Sequence, residues 1–88
     1  MLTTGTKVLV LKGAPRKNVA KGFSAKVTEV TPLGAEYNHN VRVVLCFLNG
    51  FSAGKKLAFY ANHSNRLADP VVRLFDGLRL SHIEVAAR

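Results

Sequence analysis

Three histidines, one cysteine and five acidic residues are the groups from which covalent or metal chemistry could be built. His39, His63 and His82 lie far apart, and none has a second ligand at metal spacing. A zinc site takes about four ligands, usually with local pairs, so no metal is expected. Nucleophilic catalysis needs a nucleophile, a base and an orienting group. His63 and Ser64 are neighbours, but adjacent residues seldom face one another productively. Asp69 and Asp76 stand in turn contexts, where Asp makes local hydrogen bonds. Cys46 falls in an apolar run and is expected to be a small buried residue. The glycines fall at turns, where they supply positive φ, and none forms a phosphate loop. This pattern points away from an enzyme, a cofactor and a small-molecule substrate.

The basic residues carry the stronger signal. The 88 residues hold 13 Lys and Arg against five acids, a net charge of +8 and a pI of about 10.3. Lys7, Lys12, Arg16, Lys17, Lys21 and Lys26 precede the first acid, Glu29. Such an imbalance implies an anionic partner. Lys12, Arg16, Lys17, Lys21 and Lys26 form the candidate binding set. Lys55 and Lys56 of a predicted hairpin extend it, and Arg66 and Arg73 are expected to join. Phe51 and Tyr60 are candidate stacking platforms for bases.

Strands must position these groups. Val8 and Val10 alternate with Lys7, Leu9 and Leu11, giving a first strand. Gly13-Ala14-Pro15 breaks it, since Pro15 cannot donate a ladder hydrogen bond. A basic loop runs to Gly22. Phe23, Ala25 and Val27 alternate with Ser24, Lys26 and Thr28 in a second strand. Thr31-Pro32-Leu33-Gly34 is a turn signal, and Glu36 to Asn40 reads as polar loop.

Asn40 to Leu48 is the most β-prone segment. Val41, Val43, Leu45 and Phe47 share one face; Arg42, Val44, Cys46 and Leu48 share the other. Two apolar faces predict a central strand, or one face that meets a second copy of the chain. Asn49-Gly50 is a strong turn dipeptide, and Leu57 to Ala61 returns as a hairpin strand. Asn62 to Pro70 reads as a loop or short helical turn. Val71 to Phe75 reads as a short strand, Asp76-Gly77 as a turn, and His82 to Ala86 as the closing strand, with a frayed tail at Ala87-Arg88. Five or six short strands at this spacing predict one small all-β barrel over residues 1–88. A barrel also removes exposed sheet edges.

With that layout, residues 4–30 resemble an SH3-like barrel of the KOW type, a group found in ribosomal proteins and transcription elongation factors. The matching residues are Gly5, Val8, Val10, Lys12, Gly13, Gly22, Ala25, Val27 and Val30. The loop is longer than usual, and Phe23 replaces the small residue that often follows the glycine. The resemblance implies an SH3-like fold and contact with RNA or a protein through Lys12, Arg16, Lys17 and Lys21. The opening strand is also similar to that of the small stromal subunit of photosystem I, another SH3-like family. That likeness implies an acidic protein partner met by Lys7, Arg16 and Lys17.

One cysteine excludes an internal disulfide, and a reducing cytoplasm fits best. No signal-peptide pattern opens the chain. The longest apolar stretch, Val43 to Leu48, is too short to span a bilayer, so no membrane is expected. The sequence therefore predicts a non-enzymatic basic binding module. RNA or another nucleic acid is the leading partner, and an acidic protein surface in a larger assembly is the alternative.

Overall fold

The computed structural model describes residues 2–34, 40–62, 64–77 and 80–88. The polar loop expected over Glu36–His39, and the residues His63 and Leu78, lie outside them. Six antiparallel strands form a closed barrel in sequential order. They are β1 (Lys7–Lys12), β2 (Ser24–Pro32), β3 (Val41–Phe47), β4 (Lys56–Ala61), β5 (Val72–Phe75) and β6 (His82–Ala87). The all-β barrel expected from the sequence is thus present, with six strands. Among the described residues, no helix is long and apolar enough to cross a membrane.

Period-two alternation explains which side chains fill the interior. Val8, Val10, Ala25, Val27, Val43, Leu45, Phe47, Phe59, Leu74, Ile83 and Val85 are all buried in one core. Leu2 and Leu67 join it, and the Leu2 N–H donates to the Leu67 carbonyl at 2.9 Å. Thr28 is an extra residue in β2, since Val27 faces Leu45 while Glu29 faces Val44. This bulge resets the alternation, so Val30 again faces inward opposite Val43.

β3 is flanked along its length by β2 and β4, as its two apolar faces predict. On its outer face Val44 is only 8% exposed, whereas Leu48, just past the strand, is 49% exposed. The outer apolar area open to a second copy is therefore mostly Leu48. Cys46 departs from the expectation of burial. It is half-buried and outward-facing, because the alternation places it opposite Lys26 and Lys56.

The turn after β3 and the C-terminal tail also depart from the sequence reading, whereas residues 62–70 keep to one of its alternatives. Asn49-Gly50 does not make a two-residue turn. Asn49 is extended, and its Oδ1 accepts the Ser24 N–H at 2.8 Å. Gly50, with φ of 74°, starts a 3-10 turn over Gly50–Ser52. Residues 62–70 contain a 3-10 turn at Ser64–Ala68, the helical alternative of that segment. The tail is not frayed. Ala87 pairs with Val8, the Arg88 N–H donates to the Lys7 carbonyl at 2.9 Å, and its guanidinium donates to Ser24 Oγ at 3.0 Å.

Candidate nucleic-acid interface

The first basic loop is a small folded unit. Ala14 and Val19 form an isolated antiparallel bridge, and both side chains are buried. A Cβ on Gly13 would run into the Val19 carbonyl, so the close approach of these backbones requires glycine there. The bridge holds the 3-10 turn Pro15–Lys17 at the loop tip. Asn18 closes that turn in the left-handed conformation, with φ of 56°, which Asn tolerates better than most residues. Arg16 and Lys21 are exposed and Lys17 is partly so.

This loop packs on the β3–β4 connection, as both leave the same end of the barrel. Ser52, fully buried, donates its hydroxyl to the Asn18 carbonyl at 2.6 Å. Phe51 meets Phe23 edge-to-face, with ring centroids 4.9 Å apart, yet Phe51 remains 68% exposed. A Cβ on Gly50 would strike the Phe23 ring. The sequence expectation that the first loop and this hairpin lie together is met.

Strand register adds a feature that alternation alone did not show. Lys7 faces Lys26, Lys26 faces Cys46, and Cys46 faces Lys56. These outward side chains form a continuous row over β1, β2, β3 and β4. Its three lysines are exposed. The row needs the pairing register, which the spacing of one strand does not carry. Arg88 is fixed on Ser24, two residues along β2 from Lys26. Lys55 sits in the hairpin just before Lys56, its N–H bonded to the Ser52 carbonyl at 3.0 Å.

The other predicted residues lie elsewhere. Lys12 faces Glu84, and its Nζ is 3.3 Å from His82 Nε2. His82 Nε2 is in turn 3.5 Å from Glu84 Oε2. Lys12 thus belongs to a compensated cluster on β1 and β6. Tyr60, half-buried, faces Arg42 on one side and Phe75 on the other. It stands four residues from Lys56 along β4, about 13 Å. Arg66 lies in the Ser64–Ala68 turn, in the β4–β5 connection, which leaves the opposite end of the barrel from the first loop. Arg66 and Arg73 line a separate cleft there.

Ion pairing sets the lysines of the row and the two loops, with Arg16, apart from Arg42 and His82. Among the described residues, the pairs are Arg42–Glu29 at 2.8 Å and His82–Glu84 at 3.5 Å. The Thr31 hydroxyl, donating at 2.8 Å, holds the Glu29 carboxyl below its ordinary range. The Arg42 guanidinium adds to that effect, against partial desolvation. No acidic side chain among the described residues is within ion-pair distance of Lys7, Arg16, Lys17, Lys21, Lys26, Lys55 or Lys56.

No family model, curated protein or solved structure matches the chain. The site therefore rests on its own geometry. Among the described residues, no three His, Cys, Asp or Glu side chains group as a metal site. What the surface offers is fixed positive charge at strand spacing and, in the β3–β4 connection, an exposed aromatic ring.

Proposed function

We propose that this protein is a non-enzymatic module that binds nucleic acid, with single-stranded RNA favoured over duplex DNA. The carrying observation is the outward row Lys7–Lys26–Cys46–Lys56, without acidic partners among the described residues, on a barrel whose β3–β4 connection also holds the basic loop through Ser52 and Asn18. Like charges directly opposite each other in a sheet are destabilising, so this row gains from an anion laid across it. Each phosphate neutralised releases counterions and adds a salt-dependent term to affinity. Phe51 supports nucleic acid over an acidic protein, because its exposed ring, in the connection that leads to Lys55 and Lys56, suits base stacking. The KOW-type resemblance of residues 4–30 agrees with this reading.

The test is fluorescence anisotropy with a labelled single-stranded RNA and a duplex DNA, at low and near-physiological salt. The native chain is expected to bind the RNA saturably at both. The triple change of Arg16, Lys17 and Lys21 to Ala, and the double change of Lys26 and Lys56 to Ala, should each weaken it several-fold. Cys46, the single cysteine of the chain, reports occupancy. Its alkylation should slow when RNA covers the row. Binding that vanishes near physiological salt, or equal affinity for polyglutamate, would overturn the proposal, the latter in favour of an acidic protein.

A further inference from the structure

A cleft of about 450 Å³ opens beside the seam between β4 and β5. These strands pair at the single position Tyr60–Phe75, so the sheet parts on either side of that bridge. Arg66, Asp69, Val71, Arg73, Phe75 and Glu84 are among its walls. Arg66 and Arg73 are exposed, and neither forms an ion pair among the described residues. Arg73 faces Glu84 across β5 and β6, yet the Glu84 carboxylate lies toward His82 at 3.5 Å. The Phe75 ring is half-buried, 5.5 Å from the His82 ring.

The lining selects among occupants. Two guanidinium groups suit a phosphate, which Arg can grip with two parallel hydrogen bonds. Two carboxylates on the same walls oppose a bare anion but accept hydrogen bonds from base N–H groups. An aromatic ring offers a stacking surface to any base. The volume falls within the range of small-ligand pockets. A nucleotide combines the three chemistries: an anionic phosphate, N–H donors and a flat π-face. The cleft also lies within reach of a short strand held on the lysine row, since Tyr60, which faces Phe75, is about 13 Å from Lys56 along β4.

The geometry points to this cleft as the site for one unstacked nucleotide of the bound single strand. Arg66 and Arg73 hold its phosphate, Phe75 stacks on its base, and Asp69 and Glu84 accept from the base edge. This inference rests on the nucleic-acid reading above and assigns it a second, base-binding contact.

The experiment compares the full chain with Arg66→Gln, Arg73→Gln and Phe75→Leu, using a labelled single-stranded RNA of eight nucleotides. The same RNA is then used with one abasic site moved along it. Each Arg→Gln change is expected to weaken binding about fivefold and, since both arginines grip one phosphate, to flatten the log–log salt slope by at most about 0.7. Phe75→Leu should weaken binding about fivefold or more on intact RNA. On the RNA whose abasic site falls at the cleft, it should have no effect. The two exposed arginines keep the test valid if Phe75→Leu impairs folding. Native-like affinity and salt slope in both arginine variants, with binding still weakened by the Lys26 and Lys56 double change, would overturn the cleft and leave the lysine row standing. Absence of RNA binding by the native chain would overturn both.

Discussion

The two sides of this barrel treat charge in opposite ways. On the outward row of β1 to β4, Lys7, Lys26 and Lys56 face one another or Cys46, and no carboxylate among the described residues answers them. Where β1 meets β6, Lys12, His82 and Glu84 stand within hydrogen-bonding or ion-pair distance in one cluster. Backbone pairing differs in the same sense. β3 is paired along its length to β2 and β4, whereas β4 meets β5 at one position. Lys26, Cys46 and Lys56 of the row therefore rest on the two longest ladders, β2–β3 and β3–β4, whose bonds and core contacts hold them at fixed spacing. The looser seam is where a cleft can open. The proposed binding surface thus relies on rigidity under its charges more than on compensation of them.

The sharpest way to break the comparison is to uncouple the two loops on the lysine side. Ser52→Ala removes the buried hydroxyl bond to the Asn18 carbonyl. A loss of about 1–3 kcal/mol is expected, from the acceptor left poorly satisfied, and urea unfolding would measure it. RNA affinity should fall with it, because the loop tip is no longer fixed. An unchanged denaturation midpoint would show that the loops are held by Phe23 and Phe51 instead.

A charge reversal tests the row itself. Lys26→Glu places an acid between Lys7 and the Cys46–Lys56 pair, turning repulsion into attraction. Stability should rise by about 0.2–1 kcal/mol, while RNA affinity falls. The two effects have opposite signs, which a merely structural lysine would not produce. Thermal unfolding and anisotropy on the same sample would check both.

The smallest effect belongs to the compensated charges. Glu29 has its carboxyl held below the ordinary range, chiefly by Thr31 and then by Arg42. A group depressed in the folded state contributes stability above its unfolded value and loses it as pH falls through the folded one. Glu29→Gln should therefore lower stability slightly at neutral pH. The difference from the native chain should shrink in acid below the carboxylate range, as a pH series of melting curves would show. A constant offset at all pH values would mean that packing, not ionisation, sets the effect.

Much of the barrel was legible because alternation is a local property. The inward set of Val8, Val10, Ala25 and Val27 and the two-sided β3 follow from residue order alone. Register is not local. It depends on the bulge at Thr28 and on which residue of one strand meets which of the next. Thus the lysine row, the neighbours of Cys46 and the meeting of Tyr60 with Phe75 were not readable. Arg66 illustrates a second limit. Its charge suggested membership of the basic patch, but the β4–β5 connection emerges at the other end of the barrel. The tail at Arg88 was misjudged because its order comes from Lys7 and Ser24, far away in sequence.

The sequential order of the strands also shapes how the chain reaches this state. Every strand but one pairs with its predecessor, so β1 through β6 can assemble as successive hairpins, each closing a short loop. The exception is the seam between β1 and β6, which brings Val8 to Ala87 and Lys12 to Glu84. Loop-closure entropy grows with the intervening length, and pairings distant in sequence slow folding. Ring closure at that seam carries the largest loop-closure cost of any strand pairing in the barrel, and the residues that secure it include Arg88, whose backbone and side chain both reach back across it.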